Sequence, residues 1–173
     1  MESKQTQLLQ TYETLLVSWD KTHNLISFGQ RKNLKQHIED SLSVSLMIGE
    51  YVVDLGSGGG LPGIPLAITN PQKQFLLVES NIKKASFLLN TVTKLNLHNT
   101  EVINDRIENI DSSNFPDRFD IVSRAVGSIE ANIALTEQLL KKKGVYLKLM
   151  KTEDQFFKEH LPTGYNVKKI DKY

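Results

Sequence analysis

Cysteine is absent from the 173 residues. That excludes a disulfide framework, a thiolate zinc site and a cysteine nucleophile. No apolar run approaches the roughly 20 residues that a membrane-spanning helix needs. The opening MESKQTQ lacks the basic-then-apolar layout of a secretory signal. Neither sign of charge is in excess, since 21 lysines and arginines stand against 20 aspartates and glutamates for a formal +1. Such a balance does not argue for coating nucleic acid, although it permits a local basic patch. Hydrophobic residues at 39% and charged residues at 24% exclude wholesale disorder. The expectation is one cytoplasmic domain over 1–173, acting as a monomer, with no metal and no membrane or DNA partner.

Two kinds of segment divide the chain. Leu8, Tyr12, Leu15, Leu16 and Trp19 recur at the spacing of one helical face, and Leu34, His37, Ile38 and Leu42 form a second stripe. A break over 24–29 separates them. This region, 1–48, reads as an N-terminal helical cap. From 49 to 173, short apolar runs alternate with helical ones. The runs 51–55, 75–79, 101–104, 119–123, 145–150 and 165–170 read as strands; 62–69, 82–95, 129–140 and 153–160 read as helices. Nearly continuous apolar strands alternating with helices imply an α/β fold with a parallel sheet covered on both faces. In such sheets a ligand sits outside the carboxyl ends of the strands.

The first strand runs into Asp54-Leu55-Gly56-Ser57-Gly58-Gly59-Gly60-Leu61-Pro62-Gly63. Glycines there allow a tight turn and close approach of a ligand to the backbone. A plain strand-to-helix turn is the bland reading, and a nucleotide-type ligand the favoured one. No Gly-Lys-Ser/Thr follows, so a Walker-type site is poorly supported. The spacing G-x-G-x-x-G is met from Gly58 to Gly63, but a carboxylate at Asp54 would repel a pyrophosphate and attract an ammonium or sulfonium group. S-adenosylmethionine carries both cations.

Glu79 ends the second strand about 20 residues beyond the loop, where a carboxylate can accept from ribose hydroxyls. Arg106, Ile107 and Glu108 follow the third strand, in the usual place for groups meeting an adenine. Arg124 follows the fourth, where a reacting methyl would point. For Arg106 and Arg124 a structural ion pair remains the alternative, and for His37 a partly buried helix histidine.

With those residues placed, the chain resembles the RsmG (GidB) family of bacterial methyltransferases, which form 7-methylguanosine in small-subunit ribosomal RNA. The loop matches from Asp54 to Leu66, including the unusual Leu-Pro-Gly-Ile-Pro extension. His37-Ile-Glu-Asp40-Ser41 resembles the family's His-x-x-Asp-Ser segment, and Arg106-Ile-Glu108 and Ser123-Arg-Ala125 fit two further motifs. Trp19 with Asn24-Leu25 fits a Trp-Asn-x-x-x-Asn-Leu pattern, except that Asp20 stands where asparagine is usual. The resemblance covers roughly 12–150.

It implies a Rossmann-like, class I S-adenosylmethionine-dependent methyltransferase with helices on both faces of its sheet. Cofactor contacts carry over to Gly56, Leu61, Ile107, Glu108 and Arg124, beside the loop residues Asp54, Ser57, Gly58 and Gly60 and the inferred Glu79 and Arg106. His37, Asp40 and Ser41 would lie at the substrate mouth. The expected partner is small-subunit ribosomal RNA or the ribosomal subunit. Phosphate contacts are sought at Arg31, Lys32, Lys35, Lys83, Lys84, 141–143, Lys148 and Lys151. Two departures stand out. Family members usually have Lys-Gly after strand five, whereas here Lys148 is followed by Leu149-Met150-Lys151, and the sequence stops just after the sixth expected strand, so the last antiparallel strand of the fold is expected to be missing. Guanine N7 has a lone pair and no proton, so placement suffices and no general base is named. Arg124 is the candidate at the reacting end, donating to the cofactor carboxylate or to the guanine O6 edge. The competing readings are an S-adenosylmethionine-dependent enzyme with another substrate, an NAD-type oxidoreductase and a non-catalytic cofactor-binding protein.

Overall fold

A computed structural model describes residues 3–124, 127–142 and 144–150. Three helices come first: α1 (Ser3–His23), the short α2 (Phe28–Lys32) and α3 (Leu34–Ser43). Strands and helices then alternate as β1 (Tyr51–Leu55), α4 (Gly63–Thr69), β2 (Gln74–Val78), α5 (Ile82–Leu95), β3 (Thr100–Ile103), β4 (Phe119–Arg124), α6 (Ile129–Leu140) and β5 (Val145–Met150). The five strands form one sheet in the order β3-β2-β1-β4-β5. Every pairing is parallel, with Val53 opposite both Leu76 and Ile121. The order reverses between β1 and β4, so the carboxyl ends of β1, β2 and β4 frame the crevice where such sheets take ligands.

Strand alternation sends side chains into two cores. Val52, Leu77 and Val122 face one layer with Ile64 and Leu66 of α4, Phe87 and Leu88 of α5, and Tyr12 and Leu16 of α1. Val53, Leu55, Leu76 and Ile121 face the other, which includes Leu139 of α6 and Phe115 and Phe119. Leu16, Ile64, Phe87, Leu88 and Ile121 are fully buried, and each contributes about 1.5–3 kcal/mol through removal of its side chain from water. The helical cap is therefore part of the first core. No helix among the described residues is long and apolar enough to cross a membrane.

Local chemistry fixes the helix starts. The Asn81 side chain accepts from the amides of Lys83 and Lys84 at the start of α5, and Ser128 accepts from Ala131 at the start of α6. The expected break over 24–29 is shorter than anticipated, because α2 begins at Phe28. Ser27 and Gln30 close a reciprocal capping box there: Gln30 N donates to Ser27 Oγ at 3.3 Å and Ser27 N to Gln30 Oε1 at 2.9 Å. The expected helix over 153–160, strand over 165–170 and missing last strand lie outside the described residues, as does Ala125.

Candidate cofactor and substrate site

The β1–α4 loop is held by backbone and side chain together. The amides of Gly56 and Ser57 donate to the Val78 carbonyl at 2.9 and 3.1 Å, which ties the loop to the end of β2. Gly58 N donates to Glu79 Oε2 and Asn81 N to Glu79 Oε1, each at 2.8 Å. Asn104 Nδ2 donates to the Glu79 carbonyl at 2.8 Å, joining the end of β3 to the same group. Above the loop, the buried Tyr12 hydroxyl donates to the Gly59 carbonyl at 2.7 Å. Gly58 has φ +55°, in the left-handed region, where glycine carries no Cβ penalty. Gly63 is excluded from bearing a side chain by packing: a Cβ there would stand 2.4 Å from Leu77 Cδ2 and 2.5 Å from Asp54 Oδ2.

Asp54 does not present an open carboxylate at the mouth of the strand, as the charge argument from sequence had it. Its side chain lies on the α4 side of β1, 1% exposed. Oδ2 accepts from Gly63 N at 3.0 Å, while Oδ1 is buried with no hydrogen-bond partner. Burial pushes its pKa up to about 7. The nearby Glu79 adds to the rise, and hydrogen bonds from Gly63 and Ser57 oppose it. Near neutral pH the free protein therefore holds Asp54 only partly ionised, which weakens the expected repulsion of a pyrophosphate.

At the end of β4, Arg124 meets the cap. Its Nη1 donates to the His37 carbonyl at 2.8 Å and approaches Ser41 Oγ at 3.5 Å, and its Nη2 contacts His37 Nδ1. Asp40 Oδ2 lies 3.5 Å from Nη2 and 3.6 Å from His37 Nδ1. The structure thus brings His37, Asp40 and Ser41, expected at the substrate mouth, against Arg124, expected at the reacting end. Burial and then the Arg124 charge hold the His37 pKa below the ordinary histidine value. A neutral ring accepting at Nδ1 is the state consistent with a guanidinium donor. Tyr12 links the two halves of the site. Burial raises its pKa well above the ordinary phenol value, the Asp54 charge adds to the rise and the Arg124 charge opposes it.

Other expected positions differ. Leu61 and Ile107 are 5% and 4% exposed and pack into the two cores, so contacts there are open to backbone atoms rather than side chains. Arg106 and Glu108 are exposed after β3, with no side-chain partner among the described residues. Several cations sought as phosphate contacts are already engaged. Arg31 pairs with Asp20, Lys141 with Glu137 and Lys148 with Asp120, and Lys142 donates to the Ser112 carbonyl. Lys148 is thereby corrected from a phosphate contact to a partner for a carboxylate that is only 5% exposed. Lys32, Lys35 and Lys83 stay exposed, while Lys143 and Lys151 lie outside the described residues.

Four contributors were not legible as site residues. Tyr12 belonged to a core stripe, yet a phenol buried in a core needs a hydroxyl partner, and that requirement was the available signal. Asn81 and Asn104 fix Glu79 without any motif. Asp20 accepts from Ile26 N at 3.1 Å and from Arg31, and so holds the segment that crosses the glycine loop.

A family model described as rRNA small subunit methyltransferase G matches residues 5–163. Similar proteins named ribosomal RNA small subunit methyltransferase G include one from Chromobacterium violaceum, 41% identical over 146 residues, which span 83% of this chain and 69% of the relative. Another, from Nitrosococcus oceani, is 35% identical over 171 residues, spanning 98% of this chain and 79% of the relative. Among solved structures, precorrin-6y C5,15-methyltransferase from Geobacter metallireducens GS-15 superposes with a TM-score of 0.52 at 21% identity. That overlap covers 70% of this chain and 64% of that one, a likeness of fold alone.

Proposed function

Because this chain belongs to the rRNA small subunit methyltransferase G family, we propose that it transfers a methyl group from S-adenosylmethionine to N7 of a guanosine in small-subunit ribosomal RNA. The family match across residues 5–163 is the observation that carries this reading.

The donor set fits the cofactor. Asp54 Oδ1, buried and unpartnered, offers an acceptor to a cationic or hydrogen-bond-donating group. Glu79 is fixed by two amide donors, and each of its oxygens keeps a lone pair for a ribose hydroxyl. A Cβ on Gly58 would meet only the Gly56 carbonyl oxygen at 3.7 Å and the Leu25 carbonyl oxygen at 4.0 Å, so the loop is open on that side. When bound, S-adenosylmethionine supplies an electrophilic methyl on a sulfonium centre.

The remaining task for this chain is placement. Guanine N7 needs no deprotonation, so the site works by holding the acceptor in line and excluding water. Arg124 stands at the end of β4, its guanidinium oriented by the His37 carbonyl and Asp40. Its Nη1 and Nη2 face His37, Ser41 and Asp40, so service at the reacting end, at the cofactor carboxylate or the guanine O6 edge, falls to Nε–H or requires exchange of one of those contacts. His37 and Asp40 form the rim through which the base enters, and the buried Ser41 backs it by donating to the His37 carbonyl at 2.7 Å. Gly56, Ser57, Gly60, Leu61, Ile107 and Glu108 complete the cofactor contacts, with Arg106 at the adenine end. We read the chain as one methyltransferase domain in which 1–48 caps the core of 49–173, working as a cytoplasmic monomer.

Methyl transfer from labelled S-adenosylmethionine to small ribosomal subunits, and separately to naked ribosomal RNA, tests this. The product is then checked by chemical cleavage at 7-methylguanosine. Label at a single cleavable guanosine supports the proposal. Label in neither preparation, with cofactor binding intact, refutes the RNA target and leaves a cofactor-binding protein.

A further inference from the structure

Phe28 is the most exposed aromatic side chain among the described large hydrophobics, at 79%. Its backbone is nonetheless ordered by local bonds. The Ser27–Gln30 capping box closes around it, and Arg31 N donates to the Ser27 carbonyl at 3.0 Å. Arg31 and Lys32 follow at i+3 and i+4, the positions that share a helical face with Phe28. Both are exposed, and Arg31 is held in place by buried Asp20. This face therefore presents an exposed ring on an ordered backbone, with Lys32 one turn on and Arg31 turned to Asp20.

Its position is set from both sides. Just before α2, the chain lies against the glycine loop: Ile26 Cγ2 stands 2.8 Å from where a Cβ on Gly59 would be, and the Leu25 carbonyl oxygen 4.0 Å from one on Gly58. Just after α2, α3 is tied to Arg124 through the His37 carbonyl at 2.8 Å. Phe28 lies two residues past Ile26, a chain reach of about 7 Å. A ring left in water on the same face as a lysine, two residues from the glycine-loop contact, matches how single-stranded nucleic acid is held: bases stack on an aromatic face while cations take the phosphates.

We infer that Phe28, with Lys32, forms a stacking edge that holds an unpaired base of the substrate RNA beside the cofactor site. This rests on the RNA reading above. The cleft lined by α1, α2 and α3, which Lys32 borders, also carries Glu13 and Glu39, so it is mixed in charge and only its Lys32 edge is assigned to phosphate. Stacking accepts any base, so this edge positions RNA without selecting sequence.

The full chain is compared with Phe28→Ala, Phe28→Trp and Lys32→Ala. Affinity for small ribosomal subunits, methyl transfer to them and the Kd for S-adenosylmethionine are each measured. Phe28→Ala is expected to lose about 10–100-fold in subunit affinity and in kcat/KM, with the cofactor Kd within about twofold. Phe28→Trp should recover to within about threefold of the parent, because the larger ring still stacks. Lys32→Ala should lower the salt dependence of subunit binding by a slope of about 0.7–0.9. Subunit affinity unchanged in Phe28→Ala overturns the inference, and so does a Trp variant no better than Ala. If the parent chain binds subunits in a Phe28-dependent way but transfers no label, the stacking edge stands and the activity reading falls. A parent chain that binds no subunits overturns the edge.

Discussion

Replacing Asp54 with asparagine separates the two demands on that side chain. In the free protein its carboxyl is buried with one oxygen unpartnered, and its pKa rises from 3.8 to about 7. The folded chain therefore keeps a proton that the unfolded chain releases at lower pH. Stability from the protonated form is full below the unfolded value and declines as pH rises from about 4 through about 7. Three pKa units at 1.36 kcal/mol each set an upper figure of ~4 kcal/mol. Relaxation and water entry reduce this to on the order of 2–3 kcal/mol, or about 5–10 °C in Tm for a chain of this size. Asparagine keeps an acceptor for Gly63 N but places an amide group at the unpartnered position, which costs about 1 kcal/mol at every pH. The signature is thus a difference that varies with pH. Relative to the parent, the Tm of cofactor-free Asp54→Asn should climb by about 5–10 °C between about pH 5 and pH 8. Calorimetric titration with S-adenosylmethionine supplies the second reading. A carboxylate buried beneath the loop attracts a cationic ligand above it more strongly as it ionises, so the parent Kd should tighten across the same window. The asparagine variant should bind about 10–100-fold more weakly at pH 8, with little pH dependence. Melting curves that keep a constant offset at every pH would refute the burial argument, and an unchanged Kd at pH 8 would refute the attraction to the cofactor.

Tyr12→Phe deletes the donor to the Gly59 carbonyl and leaves a buried acceptor empty; urea titration should show a loss of about 1–2 kcal/mol, and the cofactor Kd should weaken as the loop loosens. Gly63→Ala drives a methyl into Leu77 and Asp54, so a destabilisation of about 1–3 kcal/mol or more is expected in the same titration. Asp20→Ala should cost about 2–3 kcal/mol by stranding Arg31 and Ile26 N, and Asp20→Asn, which keeps an acceptor, should cost less. Burial opposes ionisation of Asp20, but hydrogen bonds from Arg31, Ile26 and Leu25 outweigh it and hold the pKa below 3.8. Its contribution is therefore present above about pH 4 and disappears on acidification, so parent and Asp20→Asn should converge in thermal melts at low pH.

The sheet was legible because its strands are almost wholly apolar. The segments expected at 51–55 and 145–150 coincide with β1 and β5, and α5 runs over Ile82–Leu95 as its periodicity predicts. Helix α2 was not, since five residues carry too little periodicity and Gly29 reads as a breaker. Its Ser27-x-x-Gln30 signature was present but competed with that glycine. Long-range partnerships had no signal at all: Arg124 and His37 stand 87 residues apart, and nothing in either motif says that one donates to the other. The burial of Asp54 follows from which way β1 faces, a fact that a strand covered on both sides conceals. Its sequence neighbours Val53 and Leu55 are apolar too, so no alternation marks one face from the other.

Those long-range partnerships change what the helical cap is for. A cap that only covered the first core would need apolar contacts alone, and Leu16 and Ile38 supply them. This one also fixes polar atoms of the ligand loop. Tyr12 takes the Gly59 carbonyl, and Gly59 itself has no room for a side chain because a Cβ would lie 2.8 Å from Ile26 Cγ2 and 3.0 Å from Leu16 Cδ1. Asp20 anchors the segment that carries Ile26, and α3 supplies the acceptors for Arg124. The glycine loop is consequently clamped from two sides, by Glu79 beneath and by the cap above. Loosening either clamp moves the same backbone amides. The site is a joint product of the cap and the sheet, so substitutions in α1 that never touch a ligand reach the cofactor through Gly59.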